Sequence, residues 1–205
     1  MCAPRSAPTL ITMKLTYLLA PLLLFGYGVV RLLDGLDGTH GPGPAWTIGH
    51  LLFLASLVGF GLVALDLRQR LGTRLALVTL IGTLYGLFAF VHVVALDLAV
   101  GFGAADRAEM DLRYDRYRSI ADSVLDPFSP LFPVGITVLL ILLVVARRAP
   151  WWSPVLALAG FLAIVANLDL LPLAGLLLVG ALLPVARSAG RGAPHRSPVG
   201  AGRAG

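Results

Sequence analysis

The chain has 205 residues, of which 58% are hydrophobic and only 13% are charged, with a mean hydropathy of +0.86. Soluble domains carry about 25% charged residues, and a soluble globule of this size has no room to hide so much apolar surface, whereas a bilayer core is itself apolar. The formal net charge of +5 comes from arginines at the ends of apolar runs and in a C-terminal tail, which speaks for orientation in a membrane and against a nucleic-acid partner.

Six apolar runs follow one another. The first is Leu15 to Leu33. It is longer than the roughly 7–15-residue core of a signal peptide and lacks a small-residue cleavage site, so it predicts a retained helix. Residues 1–14 form an N-terminal lead, and Met13 is an alternative start. The second run is Trp46 to Leu67, with Trp46 as an interfacial anchor, and the third is Leu75 to Val100. The fourth is Phe128 to Ala146, with Pro133 near its first turn. The fifth and sixth, Ser153 to Leu168 and Leu171 to Ala186, are each near the roughly 17-residue minimum for a span. Ser153-Pro154 fits an N-cap followed by Pro at N1. A single helix from Ser153 to Ala186 would be about 50 Å long, too long for one crossing. Asn167, Asp169 and Pro172 divide it in two, as successive spans or as a re-entrant hairpin.

The loop charges orient the bundle. Arg5 and Lys14 precede the first run, Arg68, Arg70 and Arg74 follow the second, Arg147 and Arg148 follow the fourth, and Arg187, Arg191, Arg196 and Arg203 follow the sixth. The opposite loops carry Asp34, Asp37, Asp169 and a mixed segment after Val100. The positive-inside rule then places both termini in the cytoplasm. Basic residues that are nearly all Arg, with abundant Ala, Gly and Pro, suggest a GC-rich bacterial source, hence a bacterial cell membrane. Residues 188–205 are Gly, Ala, Pro and Arg with almost nothing to bury, and read as a disordered tail. The fold class is all-α: a polytopic membrane bundle of six helices in residues 15–187, plus one external amphipathic helix within 104–126.

That external helix rests on three signals. Asp106 and Glu109 have capping-box spacing. Glu109 with Arg113 and Arg118 with Asp122 are i,i+4 ion pairs. Met110, Tyr114, Tyr117, Ala121 and Val124 recur at helical spacing, until Pro127 stops the helix. It reads as an interfacial connector, or more sharply as a lid over an outward cavity.

Polar residues within apolar runs are costly in lipid and face the protein interior or a cavity. They gather toward the outer side: Arg31, Asp34, His50, His92, Asp97, Asn167 and Asp169. The inner half has little beyond Ser56, Thr79, Thr83 and Tyr85, and Asp66 with Arg70 at i+4 reads as a surface pair. His50 lies about 6 Å inside its run, and His92 about 7 Å deeper than Asp97. Gly82 and Gly86 form a GxxxG face for close helix approach, within the chain or to a second copy or membrane partner. Asp97 shares that face and needs a partner, with His50 and Arg31 as candidates.

Three functions compete. His50 and His92 could ligate a haem or a metal, although their depths differ and no further ligand is evident. The cluster of Arg31, Asp34, His50, His92, Asp97, Asn167 and Asp169 could line a site for a small solute, ion or proton, with the broken backbone near Asn167 beside it. The residues could instead satisfy one another and pin the bundle, and this structural or accessory role is the favoured reading. No HExxH, GxSxG or P-loop motif is present, so the sequence leans away from an enzyme. His40, beside the Gly41–Pro44 turn, reads as a solvated loop residue.

Overall fold

The structure is a computed structural model that describes residues 7–38, 40–117 and 125–188; among these there is no strand. Among the described residues seven α-helices follow one another: α1 Ala7–Asp34, α2 Pro44–Leu71, α3 Arg74–Gly101, α4 Arg107–Tyr117, α5 Leu131–Val145, α6 Trp152–Ala166 and α7 Leu171–Ser188. Short 3-10 turns at Gly35–Asp37, Asp126–Phe128 and Leu168–Leu170 join them. Among the described residues five segments are long and apolar enough to cross a membrane: Met13–Asp34, Pro44–Leu71, Arg74–Gly101, Asp126–Val145 and Leu168–Ser188. The chain is therefore a multi-pass helical membrane protein. The sixth apolar helix, α6, has 15 residues, about 22 Å of helix at 1.5 Å per residue. Helix α1 begins at Ala7, so part of the expected N-terminal lead is helix.

The helix ends follow local rules. Pro44 opens α2, where its missing N–H costs nothing. Gly72, at φ 68°, closes α2 in the left-handed conformation that glycine adopts without strain, and the Thr73 hydroxyl accepts from the Ala76 N–H to cap α3. The α5–α6 turn has the Schellman pattern, with the Arg148 N–H donating to the Leu143 carbonyl. Arg147 takes the left-handed position there, at φ 56°. Helix α6 starts at Trp152 rather than at a Ser153 cap, and the buried Ser153 hydroxyl has no hydrogen-bond partner among the described residues. Trp151 and Trp152 are exposed at this start, as interfacial anchors are.

Helices adjacent in sequence pack side by side, and α7 closes the ring against α1. The α5–α6 seam is the most thinly packed of the ring. Lipid tails are as apolar as leucine, so burial alone does not drive these helices together; close approach and internal hydrogen bonds do. A Cβ on Gly59 would stand 2.8 Å from that of Ala20 in α1, and one on Gly175 would stand 2.7 Å from that of Phe25. The Ser56 hydroxyl donates to the Ala20 carbonyl beside the first of these contacts. Gly86 meets the backbone of Leu131 and Phe132, so the start of α5 takes that half of the GxxxG face, while Gly82 faces open space. Thr79, Thr83 and Thr137 donate back to carbonyls of their own helices, which satisfies them without a partner helix.

Asp66 is not the surface residue its i+4 arginine suggests. It is 2% exposed, and one carboxylate oxygen accepts from the Tyr17 hydroxyl at 2.7 Å and from Arg70 Nε at 2.6 Å. Arg70 also donates to the Val185 carbonyl at 3.2 Å and lies 5.3 Å from the Tyr17 ring centre. Arg148 donates to the Arg70 carbonyl. Residues of α1, α2, α7 and the α5–α6 turn thus meet at one end of the bundle. At the other end Arg31 of α1 lies near Asp169, between α6 and α7. Helix α6 therefore runs from one end of the bundle to the other.

Removing one member of a buried ion pair strands the other charge and costs about 3–5 kcal/mol. Asp66→Leu is expected to lower the thermal midpoint of the detergent-solubilised protein sharply, and Asp66→Leu with Arg70→Met to recover most of the loss. Circular dichroism melting checks both; an unchanged midpoint in the single variant would show that the pair does not hold this end together.

Candidate functional site

The polar residues at the end that carries α4 separate into a paired group and an open one. In the paired group, His50 lies one turn beyond Trp46 on α2. Its Nδ1 sits 2.8 Å from the Trp46 carbonyl, and its ring packs on the Trp46 indole with centres 4.1 Å apart. Its Nε2 is 3.5 Å from a carboxylate oxygen of Asp97 on α3. The other Asp97 oxygen accepts from the Tyr114 hydroxyl of α4 at 2.7 Å, and the Asp97 carbonyl accepts from the Trp46 indole at 3.0 Å. Trp46 also packs on Gly101, where any side chain would collide with it. It is a bracket between α2 and α3.

Hydrogen-bond chemistry fixes one His50 hydrogen. A carbonyl only accepts, so Nδ1 carries a hydrogen. Nε2 faces the Asp97 carboxylate across the α2–α3 seam. Both ring nitrogens are thus engaged inside the chain, and a haem or metal ligand at His50 would have to break one of these contacts. His92 is half-buried on α3, and the ring contacts of His50 go to Tyr27 and Trp46. No group of three or more His, Cys, Asp or Glu among the described residues could hold a metal ion. The reading of His50 and His92 as a ligand pair is therefore not supported by how His50 is held.

Helix α4 is set by its first turn. Asp106 accepts from the Glu109 N–H at 2.8 Å, and Glu109 accepts from the Ala105 N–H at 2.8 Å, completing the capping box. Arg113 closes on Glu109 at 2.6 Å. The Ala105 N–H and Arg113 hold the Glu109 carboxyl below its ordinary range. Met110 is fully buried and Tyr114 half-buried, which docks α4 on the bundle, but Tyr117 is exposed and leaves the expected stripe. The Arg118–Asp122 pair, Ala121, Val124 and the tail beyond Ser188 lie outside the described residues.

The open group surrounds a cavity of about 570 Å³ lined by Arg31, His40, Trp46, Arg107 and Tyr114. No carboxylate is among its described lining residues. Arg107 donates to the His40 carbonyl at 3.0 Å and pairs with Asp111 at 3.1 Å. Arg31 faces Asp169 at 3.9 Å, and its Nε is buried with no hydrogen-bond partner among the described residues; the same holds for His40 Nε2. The His40 ring lies against Gly35, where a Cβ would be 2.7 Å from it. Beneath the cavity, a hollow of about 10 Å³ between Asp34, Tyr27 and His50 has room for roughly one water. Asn167 is exposed and accepts from the Asp169 N–H at 2.8 Å, so it caps the turn before α7 and takes no part in the cavity.

The structure thus brings together Arg31 with Asp169, and His50 with Asp97. Asp34 stands near both groups, while Asn167 stands apart. His40, Arg107 and Tyr114 were not read from the sequence as site residues. Arg107 and Tyr114 share one face of α4, seven residues apart, which was the available signal. No family model, curated protein or solved structure matches the chain.

Burial, then the hydrogen bond and charge of Asp97, raises the Tyr114 hydroxyl above its ordinary 10.0. Its protonated form favours the docked state, so this stabilisation is complete below pH 10 and lost as pH rises through the raised value. In an ultraviolet titration of the five tyrosines, Tyr114→Phe is expected to remove a late step and leave the ordinary ones. Removal of a step near 10 would mean that α4 is not docked through Asp97.

Proposed function

We propose that the chain is a six-span, non-enzymatic component of a bacterial cell membrane, with both ends cytoplasmic, and that the α4 end binds an anionic group of the phosphate type. Arg68, Arg70, Arg74, Arg147, Arg148 and Arg187 cluster at the opposite end, which the positive-inside rule assigns to the cytoplasm. The end-to-end course of α6 supports six crossings.

One observation carries the binding reading. The cavity is lined by two guanidiniums and an imidazole, with no carboxylate among the described lining residues. Guanidinium forks match phosphate oxygens, and Arg31, Arg107 and the His40 ring all line this space. Asp97 is taken up by Tyr114 and His50, so it serves the scaffold, while Asp34 lines the hollow beneath the cavity. The hollow beneath narrows to the size of one water, which favours a binding pocket over a solute pathway.

Titration calorimetry of the detergent-solubilised protein with inorganic phosphate tests the pocket. A hydrogen bond to a charged group is worth about 1.5–3 kcal/mol, so Arg31→Gln and Arg107→Gln are each expected to weaken binding about tenfold or more. Binding unchanged in both variants, or absent in the wild type, would remove the anion reading. Reporter fusions at each terminus test the orientation: cytoplasmic signals are expected at both, and an external C-terminus would end the six-span count.

A further inference from the structure

Inside the helix ring lies a second cavity, of about 140 Å³. Its walls are aromatic: Phe53, Phe60, Phe90, Phe132 and Phe161, with Tyr27 at the top. These rings meet mostly edge to face, as in the Phe60–Phe132 and Phe132–Phe161 pairs with centres 5.6 and 5.7 Å apart. Such walls give water no hydrogen-bond partners, and apolar cavities of about 150 Å³ stay dry yet accept a benzene-sized guest. An empty void of this size forfeits packing contacts on every side.

The cavity also has a mouth. Val165, 83% exposed, and Leu168, 46% exposed, line it and lie on the bundle surface. Both belong to the final turn of α6 and the bend beyond it, beside the thinly packed α5–α6 seam. The opening is therefore lateral, toward the bilayer, where the surrounding medium is hydrocarbon chain. The residue after Leu168 is Asp169, which faces Arg31 at 3.9 Å, longer than the 2.7–2.9 Å or so of a closed charge-assisted bond. The Arg31 guanidinium thus stands beside the residue that follows the mouth.

We propose that this cavity takes a benzene-sized segment of one hydrocarbon chain of an anionic membrane phospholipid, entering past Val165 and Leu168 with the rest of the chain in the bilayer, and with the phosphate of its headgroup on Arg31. The headgroup half rests on the anion-binding reading of the α4 end; the chain half does not.

The full chain, reconstituted in nanodiscs of equal phosphatidylglycerol and phosphatidylcholine, is released for native mass spectrometry and its retained lipid counted. One retained lipid per chain is expected, with phosphatidylglycerol preferred about tenfold through the Arg31 contact. Val165→Trp, which plugs the mouth from an exposed position, is expected to abolish retention of both lipids, and Leu168→Trp serves the same purpose if that variant misfolds. Arg31→Gln is expected to keep one lipid and lose the preference. Retention unaffected by either plug overturns the proposal, whatever calorimetry shows for phosphate. Plug-sensitive retention with no preference in the wild type overturns the headgroup assignment alone, and with it the anion reading of Arg31. Loss of the preference with soluble phosphate still bound would assign Arg31 to lipid and leave the wider pocket to free anions.

Discussion

A carboxylate inside an apolar bundle has no water to turn to, so the chain must supply its hydrogen-bond donors. Two carboxylates impose this requirement, one at each end, and the bundle is arranged around meeting it. Asp66 takes a tyrosine hydroxyl from Tyr17, 49 residues away, and a cation from Arg70 one turn along its own helix. Asp97 takes a tyrosine hydroxyl from Tyr114 and faces the His50 imidazole across the α2–α3 seam. Each unit is one acid, one tyrosine and one basic group, and each ties together helices that apolar packing in lipid would leave free to slide.

The two units differ in access. Asp66 is sealed under Tyr17 and Arg70, with Arg70 further held by the Val185 carbonyl, so it acts as a fixed joint. Asp97 is partly exposed and its tyrosine arrives on the short α4, which is held mainly by Met110 and its own capping box. Helix α4 is thus both a wall of the cationic cavity and a donor to the acid beneath it. Any group that binds Arg107 acts on the same helix that satisfies Asp97.

Much of this was legible because it is local or periodic. Each of the six apolar runs falls on an apolar helix, five of them long enough to span, and the Asp106–Glu109 spacing marked the α4 cap. His50 emerged as a candidate for Asp97 because both lie near the same end of neighbouring helices. What escaped depends on distant residues. An aspartate with an arginine at i+4 reads the same on a surface as in a core, and the difference at Asp66 is made by Tyr17 on another helix. His40 looked solvated because its cover depends on Gly35 having no side chain. The GxxxG pair signalled close approach without naming the neighbour, and only Gly86 found one, in α5. The charge of Arg107 was balanced by acids in a count along the helix, and only the fold turns it toward a groove that has none among its described residues.

The fifteen residues of α6 reach about 22 Å, against about 30 Å of hydrocarbon in a typical bilayer. The long helices α2 and α3, with 28 residues each, have length to spare. The protein therefore presents a tall side and a short side to the lipid. Hydrophobic mismatch makes the bilayer thin against the short side, at a cost of fractions of a kcal/mol per Å. A thinner membrane relieves that cost and a thicker one raises it, so the α5–α6 face couples this bundle mechanically to the thickness of the membrane it inhabits.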